Sequence, residues 1–362
     1  MSKRILQLIT DLAPGGAPLM VKDLAIGLQA KGFDSQVACL GVEDIIAYQL
    51  RQAGVQTHCL GAENVRNLSV VSRLYKLLRQ VKPDILHCHL VHANIAGRLT
   101  GQLARVPKII ATIHTAEQEK RWHLLAERLT CRLSAKTVCV SDSVREFTHK
   151  KSHVPAKRLV TIYNGIDIDR FARARAIDLR DLGLSPQKKT LIFTGRLHHV
   201  KGVDILIEAF ARICLRHDLQ LIIAGDGSQR RALEELVEDY DLGRRIVFIG
   251  MRADVPALLK AADLFVLPSY WEGFGLSAVE AMAAEIPVIA SDTFGLIDII
   301  EDEKTGLLVA PGEPDLLAAA IETLIENPVK TRKMVSAAMA NIKQKFTLDR
   351  MVQQYINLYT AG

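Results

Sequence analysis

At 362 residues the chain is long enough for two domains of ordinary size, each able to bury its own core. Hydrophobic residues make up 49% and fall in many short Val/Ile/Leu runs, none near the ~20 residues that span a bilayer, which suits an α/β protein and excludes a membrane-spanning helix. Lysine plus arginine at 46 against aspartate plus glutamate at 40 gives +6, a balance fit for an anionic ligand or an acidic membrane surface; 5% aromatics, with no basic stripe between them, argue against nucleic acid. The six cysteines form no C-x-x-C pair, so neither a zinc site nor a disulfide framework is expected. Met1-Ser-Lys-Arg is followed by only Ile5-Leu-Gln-Leu-Ile9, too short an apolar run for a signal peptide, and a cytoplasmic protein is the expectation.

Residues 4–10 read as a strand, and Asp11-Leu-Ala-Pro-Gly-Gly-Ala-Pro18 as the turn into a helix whose first position suits Pro18. Gly15 and Gly16 would let backbone approach a phosphate; the spacing is not G-x-G-x-x-G, and a plain tight turn explains the pair about as well. Alternation continues with helix 19–31, strand 34–40, helix 43–53, strand 55–59, helix 69–81, strand 84–87, helix 92–104 and strand 108–113. Strands separated by helical stretches of this length imply right-handed crossovers and a doubly wound parallel sheet, with ligands at the carboxyl ends of its strands.

His87, His89 and His92 have the alternation of metal ligands, but ordinary packing at a strand end gives the same pattern and no cysteine or carboxylate cluster completes a shell, so no metal is expected. His114 falls at the end of strand 108–113, on the ligand-bearing edge, where a capping or packing role is the default. Between Glu117 and Lys136, basic residues and Trp122 accompany Leu124, Leu125 and Leu129. This reads as a solvated face over a core stripe, or as a helix lying on anionic lipid. A strand follows at 136–140, then Ser141-Asp142 as helix caps. Asp167-Ile-Asp169 matches a metal-binding D-x-D, yet it opens the linker after a strand, and capping suits it better. The charged stretch 169–187 has little apolar periodicity and reads as a hinge.

In the second half, strand 190–194 leads into Gly195-Arg-Leu-His-His-Val-Lys-Gly202. Arg196 and Lys201 thus stand at a strand's carboxyl end, where two fixed cations beside a glycine turn can hold both phosphates of a nucleoside diphosphate. Strands at 220–224 and 246–250 follow, then the run Leu264-Phe-Val-Leu267 ended by Pro268. Gly273 and Gly275 flank Phe274 and permit a tight turn, which leaves the amides of Gly275, Leu276 and Ser277 pointing out of a new helix. Such amides attract phosphate. Glu272 and Glu280, with seven residues between them, can face different parts of one extended ligand, and carboxylates accept from paired sugar hydroxyls. The stretch reads as a nucleotide-sugar site.

The segment Glu272-Gly-Phe-Gly-Leu-Ser-Ala-Val-Glu280, followed by Ile286-Pro-Val-Ile-Ala290, closely resembles the E-x7-E signature of the family 4 retaining glycosyltransferases. Nearly the whole chain shares in the resemblance. It implies a GT-B fold: two doubly wound Rossmann-like domains with a cleft between them, an acceptor-side domain at 1–168 and a nucleotide-sugar domain at 169–343, with 344–362 crossing back onto the first. It implies that Glu272 contacts the donor sugar, that Glu280 holds the ribose hydroxyls, and that the amides of Phe274, Gly275 and Leu276 receive the diphosphate with Arg196 and Lys201. By the same resemblance Gly15 and Gly16 face the donor, His114 contacts its sugar, and backbone at Met251 and Arg252 lies near the base. Many relatives carry a glutamate after the paired glycines, where this chain has Ala17-Pro18. Ser291-Asp-Thr-Phe-Gly-Leu-Ile-Asp298 likewise departs from the family pattern, so no contact is carried over there.

The implied activity is metal-independent, cofactor-free transfer of a hexosyl group with retention, from a UDP-sugar or a GDP-sugar, to an acceptor hydroxyl. A lipid-linked saccharide of envelope polysaccharide synthesis, at the inner face of the membrane, is the expected acceptor, and a soluble small molecule the alternative. An inactive sugar-binding subunit is the other class; it would have lost Arg196, Lys201 or Glu272. A nicotinamide oxidoreductase lacks its fingerprint here.

Overall fold

Strands that are apolar on both faces, with room for a helix between them, fold as parallel sheets covered on either side. The computed structural model describes residues 3–62, 69–116 and 120–361 and divides the chain into two units, Met1–Gly165 with Leu348–Gly362, and Ile166–Thr347.

Among the described residues the first unit has β1 (Arg4–Ile9), β2 (Asp34–Cys39), β3 (Thr57–Cys59), β4 (Ile85–His89), β5 (Lys108–Ile113), β6 (Lys136–Cys139) and β7 (Leu159–Thr161). They lie parallel in the order β3-β2-β1-β4-β5-β6-β7, connected by α1 (Gly16–Ala30), α2 (Ile45–Gln52), α3 (Ser69–Val81), α4 (Val91–Leu103), α5 (Arg121–Thr130) and α6 (Asp142–Ser152). The second unit opens with α7 (Ile168–Ala172). Its strands β8 (Lys189–Thr194), β9 (Leu219–Ala224), β10 (Ile246–Gly250), β11 (Leu264–Leu267), β12 (Val288–Ser291) and β13 (Leu307–Val309) lie in the order β10-β9-β8-β11-β12-β13. Helices α8 (Val203–Ile213), α9 (Arg230–Asp239), α10 (Val255–Lys260), α11 (Leu276–Ala283), α12 (Pro314–Glu326) and α13 (Pro328–Lys345) accompany them, and α14 (Leu348–Thr360) ends the chain in the first unit.

In each sheet the strand order reverses once, between β1 and β4 and between β8 and β11. The crevice at such a reversal is where doubly wound sheets take their ligands.

The two-residue period of a strand sorts the first core. Ile5, Ile9, Ile85 and Ile110 join Leu24, Leu28, Val352, Tyr355 and Tyr359 from α1 and α14; Leu6, Leu8, Leu86 and Cys88 join Leu74 and Leu78 of α3 in a second cluster. Ile5 pairs in register with Ile85 and Ile9 with His89, which puts Gln7, His87 and His89 in the face that α14 covers.

Several expectations shift. Helix α1 begins at Gly16, so Pro18 is its third residue, still in the first turn where a missing N–H is harmless. Strand β4 runs on to His89, so both histidines lie inside it. The stretch expected as a hinge belongs to the second unit: Phe171 and Leu179 are buried, and the Ile177 N–H donates to the Ala257 carbonyl. Three apolar residues within a charged run, Phe171, Leu179 and Leu184, dock it. Asp167 caps α7 by accepting from the Arg170 N–H, and Asp169 pairs with Arg173 at 2.8 Å, so the D-x-D is spent on helix geometry.

Candidate active site

The second unit's site is assembled by two loops that meet at the β8/β11 reversal. After β8, the Gly195 N–H donates to the Ala224 carbonyl and the Leu197 N–H to the Asp226 carbonyl, while fully buried Leu197 anchors the turn. Arg196, between them, is exposed, and among the described residues it makes no ion pair. A short 3-10 turn, His199–Lys201, ends at Gly202, whose φ of +60° favours glycine and whose missing Cβ leaves room for the Pro268 carbonyl of the other loop. The Tyr270 N–H donates to the Val200 carbonyl at 2.8 Å.

That close approach brings Lys201 Nζ to Glu272 Oε1, an ion pair whose side chains are 23% and 11% exposed. Glu272 Oε1 also accepts from Ser269 Oγ at 2.9 Å, and Ser269 is fully buried. The loop after β12 braces the backbone that carries this carboxylate: the Glu272 N–H donates to the Phe294 carbonyl at 3.2 Å, and Thr293 Oγ1 donates to the Tyr270 carbonyl at 2.8 Å. Gly295, at φ +83°, packs so close that a Cβ would stand 2.8 Å from the Gly273 carbonyl carbon. The segment where the sequence leaves the family pattern is therefore part of this support. Gly202, Ser269, Thr293 and Gly295 were not legible as site residues; a buried serine directly after the strand-ending Pro268 was the available signal.

Gly275 caps α11 at φ +87°, and Leu296 fills the space its side chain would need, 2.5 Å from a Cβ. Ala278 and Val279 already donate to the Gly275 carbonyl, so among the described residues the free amides of this helix start are those of Gly275, Leu276 and Ser277. The Phe274 ring is buried edge-on against Phe346, centroids 5.6 Å apart, which leaves its backbone, the part expected to meet the diphosphate, for a ligand. Glu280 is half-buried on α11, and Leu276 half-buried at its start. Met251 is exposed just beyond β10, and Arg252 forms a two-pronged pair with Asp254 at 2.8 and 2.6 Å, which holds the Asp254 carboxyl below its usual range. Its side chain is committed, and its backbone is what remains for a base.

In the first unit Gly15 caps α1 with extended backbone, and the space around Gly16 is open. His114 follows β5, half-buried, its Nε2 3.2 Å from His89 Nδ1. Burial pushes its pKa down to about 3, and holds His87 and His89 well below theirs, so all three are neutral at pH 7. The histidine pair is spent on hydrogen bonds, His87 to Tyr359 and Thr112, His89 to Gln7 and His114. Among the described residues no group of three or more His, Cys, Asp or Glu could hold a metal.

Helix α5 reverses the expected amphipathic order; Glu117 and its two followers lie outside the described residues. Its inward face is polar, where Glu127 takes both prongs of fully buried Arg98 at 2.7 and 2.6 Å. Trp122, Leu125 and Leu129 face outward at 49%, 54% and 69% exposure, beside exposed Arg121, Arg128 and Arg132. No helix of the described residues is long and apolar enough to cross a membrane.

Two parallel-sheet units, the second presenting cations, open amides and a carboxylate at its strand reversal, place the protein among the GT-B glycosyltransferases that use nucleotide sugars. Comparison with known proteins agrees. One family model, described as Glycosyltransferase Family 4, matches residues 14–170, and another, Glycosyl transferases group 1, matches 175–341. The chain belongs to glycosyltransferase family 4. It is 29% identical to the Escherichia coli UDP-Gal:alpha-D-GlcNAc-diphosphoundecaprenol alpha-1,3-galactosyltransferase over 90% of this chain and 89% of that one. It is 28% identical to the Bacillus anthracis N-acetyl-alpha-D-glucosaminyl L-malate synthase over 81% and 78%. The crystal structure of Anabaena HepE in complex with UDP-glucose aligns at a TM-score of 0.89 and 26% identity, covering 98% of each chain.

Proposed function

We propose that this protein transfers a hexosyl group from a UDP-sugar to an acceptor hydroxyl with retention of configuration and without a metal. The observation that carries the reading is the meeting of Lys201 with Glu272 at the β8/β11 reversal, beside the open start of α11. As the anomeric carbon becomes cation-like, negative charge grows on the departing diphosphate. Arg196, Lys201 and the amides from Gly275 to Ser277 stabilise it, so the protein itself supplies the positive charge a metal would otherwise bring. Glu272, braced by Ser269 and by the loop after β12, orients the sugar and faces its developing positive charge; Glu280 takes the ribose hydroxyls. Gly15, Gly16 and His114 contact the sugar, and backbone at Met251 and Arg252 borders the base. An inactive subunit has no use for Lys201 and Glu272 held in contact.

A UDP donor is supported by the names of the Escherichia coli and Anabaena relatives. A lipid-linked acceptor at the inner face of the membrane is supported by the former and by α5, whose outward tryptophan, leucines and arginines suit an anionic bilayer surface. The experiment is a screen of UDP-, GDP- and ADP-sugars for thermal stabilisation and slow release of nucleoside diphosphate. Stabilisation and UDP release with one UDP-sugar supports the reading; no nucleoside diphosphate from any donor overturns it.

A further inference from the structure

A row of polar side chains runs through the apolar face between the first sheet and α14: Gln7, His87, His89 and Thr112, all fully buried. A buried polar group left unbonded costs on the order of 1–3 kcal/mol, and the row is hydrogen-bonded along its length. Its proton order can be followed. Tyr359 Oη stands 2.6 Å from His87 Nδ1 and 3.2 Å from Gln7 Nε2. A hydroxyl donates over the shorter distance, and 3.2 Å suits an amide N–H donor better than an O–H donor, so Tyr359 donates to His87 and accepts from Gln7. His87 Nε2–H then donates to Thr112 Oγ1 at 2.7 Å. The amide oxygen of Gln7 is thereby turned to His89, whose Nε2 lies 2.8 Å away and must carry a proton. Neutral His89 has one ring proton, so its Nδ1 accepts, and the proton in the 3.2 Å contact belongs to Nε2 of His114. His114, neutral as well, is left with a bare lone pair on Nδ1, for which no partner exists among the described residues.

We propose that Gln7 is a positioning residue: acting through His89, it holds His114 as the Nε2–H tautomer, leaving Nδ1 as a hydrogen-bond acceptor for a hydroxyl of the bound ligand. The tautomer stands on the chain of contacts between neutral rings, and the ligand hydroxyl rests on the donor-sugar role proposed for His114. Tyr359 extends the control to α14, since the helix supplies the hydroxyl that orients the Gln7 amide.

The test is long-range proton–nitrogen NMR of the full chain carrying isotope-labelled histidine, ligand-free at neutral pH, with the His114 signal assigned by its loss in His114→Gln. The wild type shows His114 protonated on Nε2. Gln7→Met removes the acceptor that fixes His89 and shifts His114 wholly or partly to Nδ1–H. In donor turnover, Gln7→Met lowers kcat/KM on the order of tenfold, mainly through KM, as loss of one hydrogen bond should; UDP alone binds as before. Wild-type His114 protonated on Nδ1 overturns the proposal, even if Gln7→Met fails to fold. So does a His114 signal unmoved in a folded Gln7→Met. If the tautomer follows Gln7 but His114→Gln leaves donor turnover intact, the relay stands and the donor-sugar role of His114 is what falls.

Discussion

Replacing Lys201 with methionine keeps most of the side chain's volume and removes its charge. Three effects then combine. The departing diphosphate loses a preorganised cation, worth ~2–4 kcal/mol of barrier at comparable anion sites. Glu272, 11% exposed, is left with Ser269 Oγ as its remaining side-chain donor, and a partly buried carboxylate without its counter-ion costs about 1–3 kcal/mol. That carboxylate would also repel the incoming diphosphate. Like unit charges 4 Å apart at an effective dielectric of about 20 repel by about 4 kcal/mol, and partial solvent access lowers the figure, so a penalty of about 1–2 kcal/mol is reasonable. We therefore expect Lys201→Met to lower kcat/KM for the donor by about three orders of magnitude. It should also weaken UDP binding in calorimetry. The double variant Lys201→Met/Glu272→Gln should be less damaged than the product of its singles, because removing the second charge relieves the strain left by removing the first; a coupling of about 1 kcal/mol or more is expected. UDP release and UDP affinity on all four proteins close the cycle. Additive effects, or a Lys201→Met protein that binds UDP like the wild type, would refute the reasoning.

Gly275→Ala forces a side chain into left-handed backbone and onto Leu296; about 1–3 kcal/mol should be lost in a urea melt, together with donor turnover, and unchanged stability would contradict the cap geometry. Leu125→Asp/Leu129→Asp should abolish co-sedimentation with anionic vesicles while leaving UDP release from free donor unchanged; equal binding by both proteins, or none by the wild type, would remove α5 as a membrane surface. For pH, a histidine whose folded pKa lies below its unfolded value destabilises the fold as pH falls. His114, with a folded value of about 3 against an ordinary value near 6.5, should cost about 2 kcal/mol at pH 5 relative to neutrality, and His87 and His89 act in the same direction. Urea midpoints should drop between pH 7 and 5, less so in His114→Gln, and equal drops in the two proteins would argue against a neutral His114.

How much was readable in advance depended on range along the chain. The alternation of apolar runs with helical stretches lies within windows of a dozen residues, and so do the glycine turn at Gly273–Gly275 and the spacing of Glu272 from Glu280. Each came through. What a short window did not contain was the direction of side chains. Phe274 sits in the middle of the turn yet sends its ring to Phe346, seventy-odd positions away, and Leu125 and Leu129 look like a core stripe until Arg98 takes the inward face of α5 for itself. A charged pair buried on one side of a helix leaves its leucines no core to join.

The amino-acid order alone therefore determined the two sheets, the cationic and acidic groups at strand ends, and the resemblance to a sugar-transferring family. The tertiary structure decided which strand ends are neighbours. Lys201 and Glu272 are 71 positions apart and touch because β8 lies beside β11, and Gln7 reaches His89 and Tyr359 because β1, β4 and α14 share one face. Local geometry is set by steric and hydrogen-bonding preferences a few residues long, whereas strand neighbourhood is settled by the burial of whole faces against each other, a quantity no short window contains.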